Sequence, residues 1–258
     1  MDIGETPETS FALRRFSAFA YRQKTDRGET SYLQILASTK ARLGDIVGAT
    51  EIIGELSGTS ADFAHMGIAE EWAWRGSIAE AMTAASQISD TRLRDSTLRE
   101  IALNRTDKIN LSDSLEAINK IDDSPARSEA LATLALEQAQ NGNPAVFHTL
   151  QLWHASFEGA SEFAKDARGT IAVTYGLLGE FEQARQVLDT LPDPESRTWP
   201  LWNLTSFLAS RGRTQEAIDL ANQEESAQPK LHALLGTAQG ILDRVSQPKD
   251  STNESFSK

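Results

Sequence analysis

Small residues, branched apolar residues and turns recur along this chain on a fixed spacing. Ala37, Gly44 and Ala49 stand seven and then five residues apart; the same triplet returns as Ala69, Gly76, Ala81, as Ala172, Gly179, Ala184 and as Thr205, Gly212, Ala217. Ala135, Gly142 and Phe147 keep the spacing with a large third member, and Ala102, Ile109 and Ser114 keep it without the glycine. Gly236 and Asp243 open a last, incomplete copy. The first members follow one another by 32, 33, 33, 37, 33 and 31 residues, and each is preceded by a branched apolar residue: Leu36, Ile68, Ile101, Leu134, Ile171, Leu204 and Leu235. A period of this length marks an internal repeat.

The triplet has a physical reading. A small residue on each of two helices lets their axes approach to about 8–10 Å, and the glycine between them supplies the left-handed cap that ends the first helix. Helix pairs are therefore predicted at 30–56, 62–89, 93–121, 127–154, 163–190 and 197–224, with a lone helix near 229–245. Ser57-Gly58-Thr59-Ser60, Asp122-Asp123-Ser124-Pro125 and Leu191-Pro192-Asp193-Pro194 carry stop and start signals between pairs. Ile109 occupies one glycine place, so Asn104, Asp107 or Asn110 is expected to shape that turn. Four extra residues between the fourth and fifth copies are placed at 154–159, where a bent junction is predicted. No long stretch alternates apolar and polar residues, so the fold class is all-α.

The ends differ from the repeats. Residues 1–9 read as a flexible tail. Ser10 is expected to cap a helix over 10–28 carrying Phe11, Leu13, Phe16, Phe19 and Tyr21 among Arg14, Arg15, Arg22, Lys24 and Arg27. Such a helix suits either a membrane surface or, as adopted here, the open end of the first repeat. The array spans 29–245, and 246–258 reads as a disordered tail.

The spacing resembles the tetratricopeptide repeat, which places Leu-Gly-x-x-Tyr on its first helix, Ala-x-x-x-Phe on its second, and then Pro. Ile171-Ala172-x-x-Tyr175 with Ala184-x-x-x-Leu188 fits that pattern, as does Leu204-Thr205-x-x-Leu208 with Ala217-x-x-x-Ala221 and Pro229. The family's first-helix Trp is replaced by Leu33, His65, Leu98, Leu131, Arg168, Leu201 and His232. The resemblance implies a right-handed superhelical solenoid of about six helix-turn-helix repeats with terminal capping helices. It also implies a concave groove lined by first helices.

Applied to this chain, the family's groove positions fall on Phe63, Met66, Glu70 and Trp74, on Ser96, Arg99, Leu103 and Asp107, and on Trp199, Trp202, Ser206 and Ser210. Trp, Met and Arg are the types enriched at protein interfaces. The candidate binding residues are accordingly Met66, Glu70, Trp74, Arg99, Trp199, Trp202 and Ser206. The family's carboxylate clamp would need Lys, Arg and Asn at Gln34, Ser38, Met66, Glu70, Arg99 and Leu103. Only Arg99 suits it, and Glu70 would repel a carboxylate.

Charge and composition narrow the function further. The 258 residues carry a net charge of −12 and no cysteine. An acidic array repels phosphate backbones, which argues against nucleic acid as the partner, and the missing cysteines remove disulfides and thiol chemistry. Phosphate-binding glycine loops, the Gly-x-Ser-x-Gly elbow and His-Glu-x-x-His are absent from the sequence. His148 and His154 stand about 120° apart on a helix, poorly placed to share a metal. No transmembrane run and no secretory leader is read. The expectation is a cytoplasmic, monomeric, non-catalytic scaffold with no cofactor and no metal, taking a basic and apolar peptide or protein segment. Two alternatives stand beside it: a sensor or regulatory module of a larger assembly, and an α-helical enzyme with its active site in the groove.

Overall fold

The computed structural model describes residues 6–104, 110–157, 165–191 and 193–246, all in helices and connections, with no strand among the described residues. In order the helices are α1 (Pro7–Arg27), α2 (Ser31–Arg42), α3 (Ile46–Ile53), α4 (Thr59–Trp74), α5 (Ile78–Ala85), α6 (Thr91–Ala102) and α7 (Leu111–Asn119). They continue as α8 (Ser124–Gln140), α9 (Val146–Phe157), α10 (Lys165–Leu178), α11 (Phe181–Asp189), α12 (Pro194–Ser210), α13 (Thr214–Gln223) and α14 (Ala227–Ser246). The chain divides into two compact units between Ala130 and Leu131, inside α8.

The glycine caps stand where the triplet put them. Gly44, Gly76, Gly142, Gly179 and Gly212 all have positive φ, between 64° and 90°. The residue after each glycine donates its N–H five residues back, as Asp45 to Lys40, Ser77 to Trp72, Asn143 to Gln138, Glu180 to Tyr175 and Arg213 to Leu208, at 2.8–2.9 Å. That double closure satisfies carbonyls the helix end would otherwise leave open, and a Cβ would strain it.

Within each unit, packing follows the hairpins. In the first, α2 packs on α3 and α4, α4 on α5 and α6, and α6 on α7; in the second, α10 packs on α11 and α12, and α12 on α13 and α14. The small residues of the repeat are buried. Ala37, Ala49, Ala69, Ala81, Ala135, Ala172, Ala184, Thr205 and Ala217 are fully buried. Leu33, Leu36, Ile52 and Ile68 fill the core of the first unit, each side chain contributing about 1.5–3 kcal/mol by leaving water.

Buried carboxylates join one hairpin to the next, a device the spacing did not announce. Asp62 in the first turn of α4 is 5% exposed and accepts the backbone N–H groups of Ser89 and Asp90 at 2.8 and 3.1 Å, just ahead of α6. Asp95, its repeat equivalent one residue deeper in α6, is equally buried and accepts from Asp122 and Asp123 at 3.1 and 2.9 Å, ahead of α8. Neighbouring cations repeat too. Arg94 reaches Asp122 at 2.6 Å, and its register equivalent Arg197 reaches Glu224 at 2.5 Å.

Several expectations are corrected. The first helix begins at Pro7 with Thr6 as its cap, whose hydroxyl accepts the N–H of Thr9, so helix replaces tail at 7–9 and Ser10 lies inside. Proline at the first helical position explains the earlier start. This helix packs on α2, with Leu13 and Phe16 against the core, Phe19 edge-on to Tyr32 and Lys24 paired with Glu55 at 2.7 Å. Phe147 is 52% exposed, and Val146, Thr149, Leu150 and Trp153 form the buried face of α9 instead. Successive N–H groups of Val146, Phe147 and His148 bond three residues back, so the chain enters α9 through a tighter turn that rotates the register by one residue. Residues 154–157 belong to α9 rather than to a junction. Asn110 caps α7 through the N–H of Asp113 at 3.0 Å. Asp107, Ile109, residues 158–159 of the expected junction, residues 1–5 and residues 247–258 of the expected tail lie outside the described residues.

Candidate functional site

The first unit holds a cavity of about 310 Å³ between the last turns of α4 and α6, lined by Glu70, Ala73, Trp74, Glu100, Leu103 and Asn104, with Ile101 at its floor. Helix geometry assembles it. Glu70 and Trp74 are four apart and so share a face of α4, while Glu100 in the last turn of α6 and Asn104 just beyond it complete the lining. Ala69, without bulk, lets α4 pack closely, and the turn at Gly76 ends α4 at Trp74, whose indole is 49% exposed.

The electrostatics are acidic. Glu70 is half-buried, and burial pushes its carboxyl above the ordinary glutamate value of 4.5; Arg42 of α2 opposes that rise and the negative charge of Glu100 adds to it. Glu71, on the buried side of the same turn, is neutralised by Arg75 at 2.5 Å. Glu70, Glu100 and the ring of Trp74 thus face one space. Chemically, that combination suits a cation on an apolar stem: carboxylates take the charge and the indole face takes both stem and cation.

The seven candidate residues separate into groups. Glu70 and Trp74 meet in this cavity, and Leu103, a groove position on α6, lines it as well. Met66 and Arg99 are half-buried and do not line it; the Nε of Arg99 is buried without a hydrogen-bond partner. In the second unit, Trp199 is 49% exposed and Trp202 is half-buried. Ser206 is only 8% exposed, because α14 covers that turn of α12: the carbonyls of Trp202 and Ser206 lie directly on Gly236 and Gly240. Glu100 and Asn104 were not among the candidates. Their signal was the four-residue spacing at the end of a first helix, which in an acidic chain looks like ordinary solvated surface.

A second cavity of about 240 Å³ opens between α11, α12 and α13, with Glu182, Glu216, Asp219 and Arg185 at its rim. Its charges are mixed, and Arg213 above it stacks on Phe181 at 4.3 Å while pairing with Glu216. Between α9 and α10, His154 Nε2 and the Tyr175 hydroxyl are 2.8 Å apart; burial lowers the histidine's pKa and raises the tyrosine's. Among the described residues no three His, Cys, Asp or Glu side chains are grouped to hold a metal ion, and no helix is long and apolar enough to cross a membrane. No protein-family model, curated protein or solved structure matches this chain.

Proposed function

We propose that this chain is a non-catalytic binding module whose hairpins are divergent tetratricopeptide-like repeats stacked as a right-handed solenoid. Its first-unit cavity takes a Lys- or Arg-bearing apolar segment of another protein. The observation that carries the reading is the meeting of Trp74 with Glu70 and Glu100 at one cavity. The net charge of −12 supports a basic protein partner over a nucleic acid, because it attracts the first and repels the second. The working place of such a module is the cytoplasm. Neither a cofactor nor a metal enters the reading.

Selection from a displayed library of random peptides tests it. The expected consensus carries Lys or Arg next to an apolar residue, and binding of the enriched peptides falls at least about tenfold in Trp74→Ala, in the range of interface anchors. Acidic consensus sequences, or enrichment that Trp74→Ala leaves unchanged, would sink the proposal.

A further inference from the structure

α14 is buried on its small residues and bare on its large ones. Pro229, Ala233, Gly236, Thr237 and Gly240 form its buried side, and Thr205 of α12 donates its hydroxyl to the Ala233 carbonyl at 2.8 Å. On the other side Leu231, Leu234, Leu235, Leu242 and Val245 are 40–74% exposed. At about 100° per residue the exposed set, with half-buried Ile241, falls within about 60° on either side of Ala238. The glycine face lies diametrically opposite.

The repeat register shows what this face lacks. α14 is the counterpart of α2, α4, α6, α8, α10 and α12. In those six helices the branched residue before the small position (Leu36, Ile68, Ile101, Leu134, Ile171, Leu204) is at most 8% exposed; its counterpart Leu235 is 51% exposed. A position built for burial is uncovered.

We propose that α14 of a second copy of this chain covers it, antiparallel, with the twofold axis at Ala238. The pattern reads the same in both directions from that residue. Leu231 and Val245 lie seven positions to either side, Leu234 and Leu242 four, Leu235 and Ile241 three. A twofold contact therefore sets apolar against apolar in every layer, as an isologous interface requires. Residues 231, 234, 238, 241 and 245 follow the three-four spacing of a two-helix seam, and the small Ala238 lets the helices cross closely. Charge permits the contact: the chain carries −12, but α14 holds Lys230, Asp243 and Arg244, a net +1. Two copies thus meet away from the acidic surface that would hold them apart. Two such faces along helices of 20 residues bury on the order of 900 Å², below the size of stable specific interfaces, so the dimer is a weak, reversible one. This replaces the monomer expected from the sequence and stands independently of the peptide-binding proposal.

Sedimentation equilibrium of the full chain tests the seam. The expected mass rises with concentration to twice the 28.2 kDa of one chain. Leu235→Asp with Leu242→Asp alters only exposed positions, so helicity and melting temperature stay while the dimer weakens at least about 100-fold, unpaired charge being costly in an apolar contact. The chain has no cysteine of its own, so Ala238→Cys places single thiols at the axis, and mild oxidation should give a cross-linked dimer. Asp243→Cys, about 140° around the helix, should not. A chain monomeric at every concentration overturns the proposal and leaves the face to a different helix. So does a dimer indifferent to the Asp pair, or cross-linking through residue 243 as ready as through 238.

Discussion

Gly236 of α14 lies so close to the carbonyl oxygen of Trp202 on α12 that a Cβ at Gly236 would overlap it. Gly240, one turn on, meets the Ser206 carbonyl in the same way. The two glycines set the distance at which α14 docks, and with it which side of that helix faces out.

Gly236→Ala should therefore push the two helices apart and cost at least about 1–3 kcal/mol, the usual range for overpacking. Gln239→Ala, exposed on the same helix, should stay within about 0.5 kcal/mol. Urea unfolding compares them. Equal midpoints for the two variants would mean that α14 docks more loosely than the glycine contacts require.

The Asp62 and Asp95 carboxylates each hold two backbone N–H groups at the start of the next hairpin. Hydrogen bonds to a charged group are worth about 1.5–3 kcal/mol, so Asp62→Ala and Asp95→Ala should each cost about 2 kcal/mol or more. Asp90→Ala removes only the exposed cap on Leu93 and should cost about 1 kcal/mol. Hydrogen exchange localises the effect: amides of Ser89 and Asp90 should lose protection in Asp62→Ala, and those of Asp122 and Asp123 in Asp95→Ala. Unchanged protection at those amides would show that the carboxylates only decorate the turns.

These cases show what the sequence could and could not reveal. Glycine caps and small contact residues were legible because each is a local demand, a positive φ or a close approach, that few residue types meet. Gly44, Gly76, Gly142, Gly179 and Gly212 follow directly from it. Asp62 and Asp95 were not legible, since an acid near a helix's start looks like a solvated response to the helix dipole; only the neighbouring hairpin makes it a buried acceptor. The exposure of Phe147 depended on how tightly the chain turns after Gly142, which spacing alone does not encode. For α14, the spacing predicted a lone helix and nothing about its faces. That the glycine face would be buried and the leucine face left open required knowing what α12 presents. Of the residues lining the cavity, Glu70 and Trp74 had been named as groove positions by the tetratricopeptide resemblance, whereas Glu100 became relevant only once α6 stood beside α4.

The Glu70 carboxyl has a pH signature. Burial raises its pKa in the folded chain, so over a window above 4.5 the folded state holds this proton while the unfolded state has released it. Stability from this group therefore falls as pH rises through that window and levels off above the folded value. Glu224, also raised chiefly by burial, slopes the same way, so the readout is the difference between wild type and Glu70→Gln. That difference should favour the variant increasingly as pH rises from 4.5 towards neutrality. Affinity for a basic peptide should rise across the same window in the wild type and stay flat in Glu70→Gln. A pH-independent difference in both measurements would remove Glu70 from the site.

The tryptophans give the clearest division between binding and packing. Trp74 is 49% exposed at a cavity mouth, whereas Trp153 is 2% exposed inside the second unit. Trp202 is half-buried on α12, with its own backbone under α14. Truncating a buried aromatic costs about 3–5 kcal/mol, so Trp153→Ala should come close to that. Trp202→Ala should cost about half as much through lost packing. Trp74→Ala loses little buried area and should stay under about 1 kcal/mol, while a selected basic peptide dissociates from it at least about tenfold faster. Salt should slow association of that peptide with wild type and Trp74→Ala alike, because long-range attraction comes from the acidic surface and not from the indole. Thermal unfolding and surface-based kinetics on the three variants separate the roles. If Trp74→Ala melts as low as Trp202→Ala and releases peptide at the wild-type rate, Trp74 is a packing residue and the cavity is not the binding site.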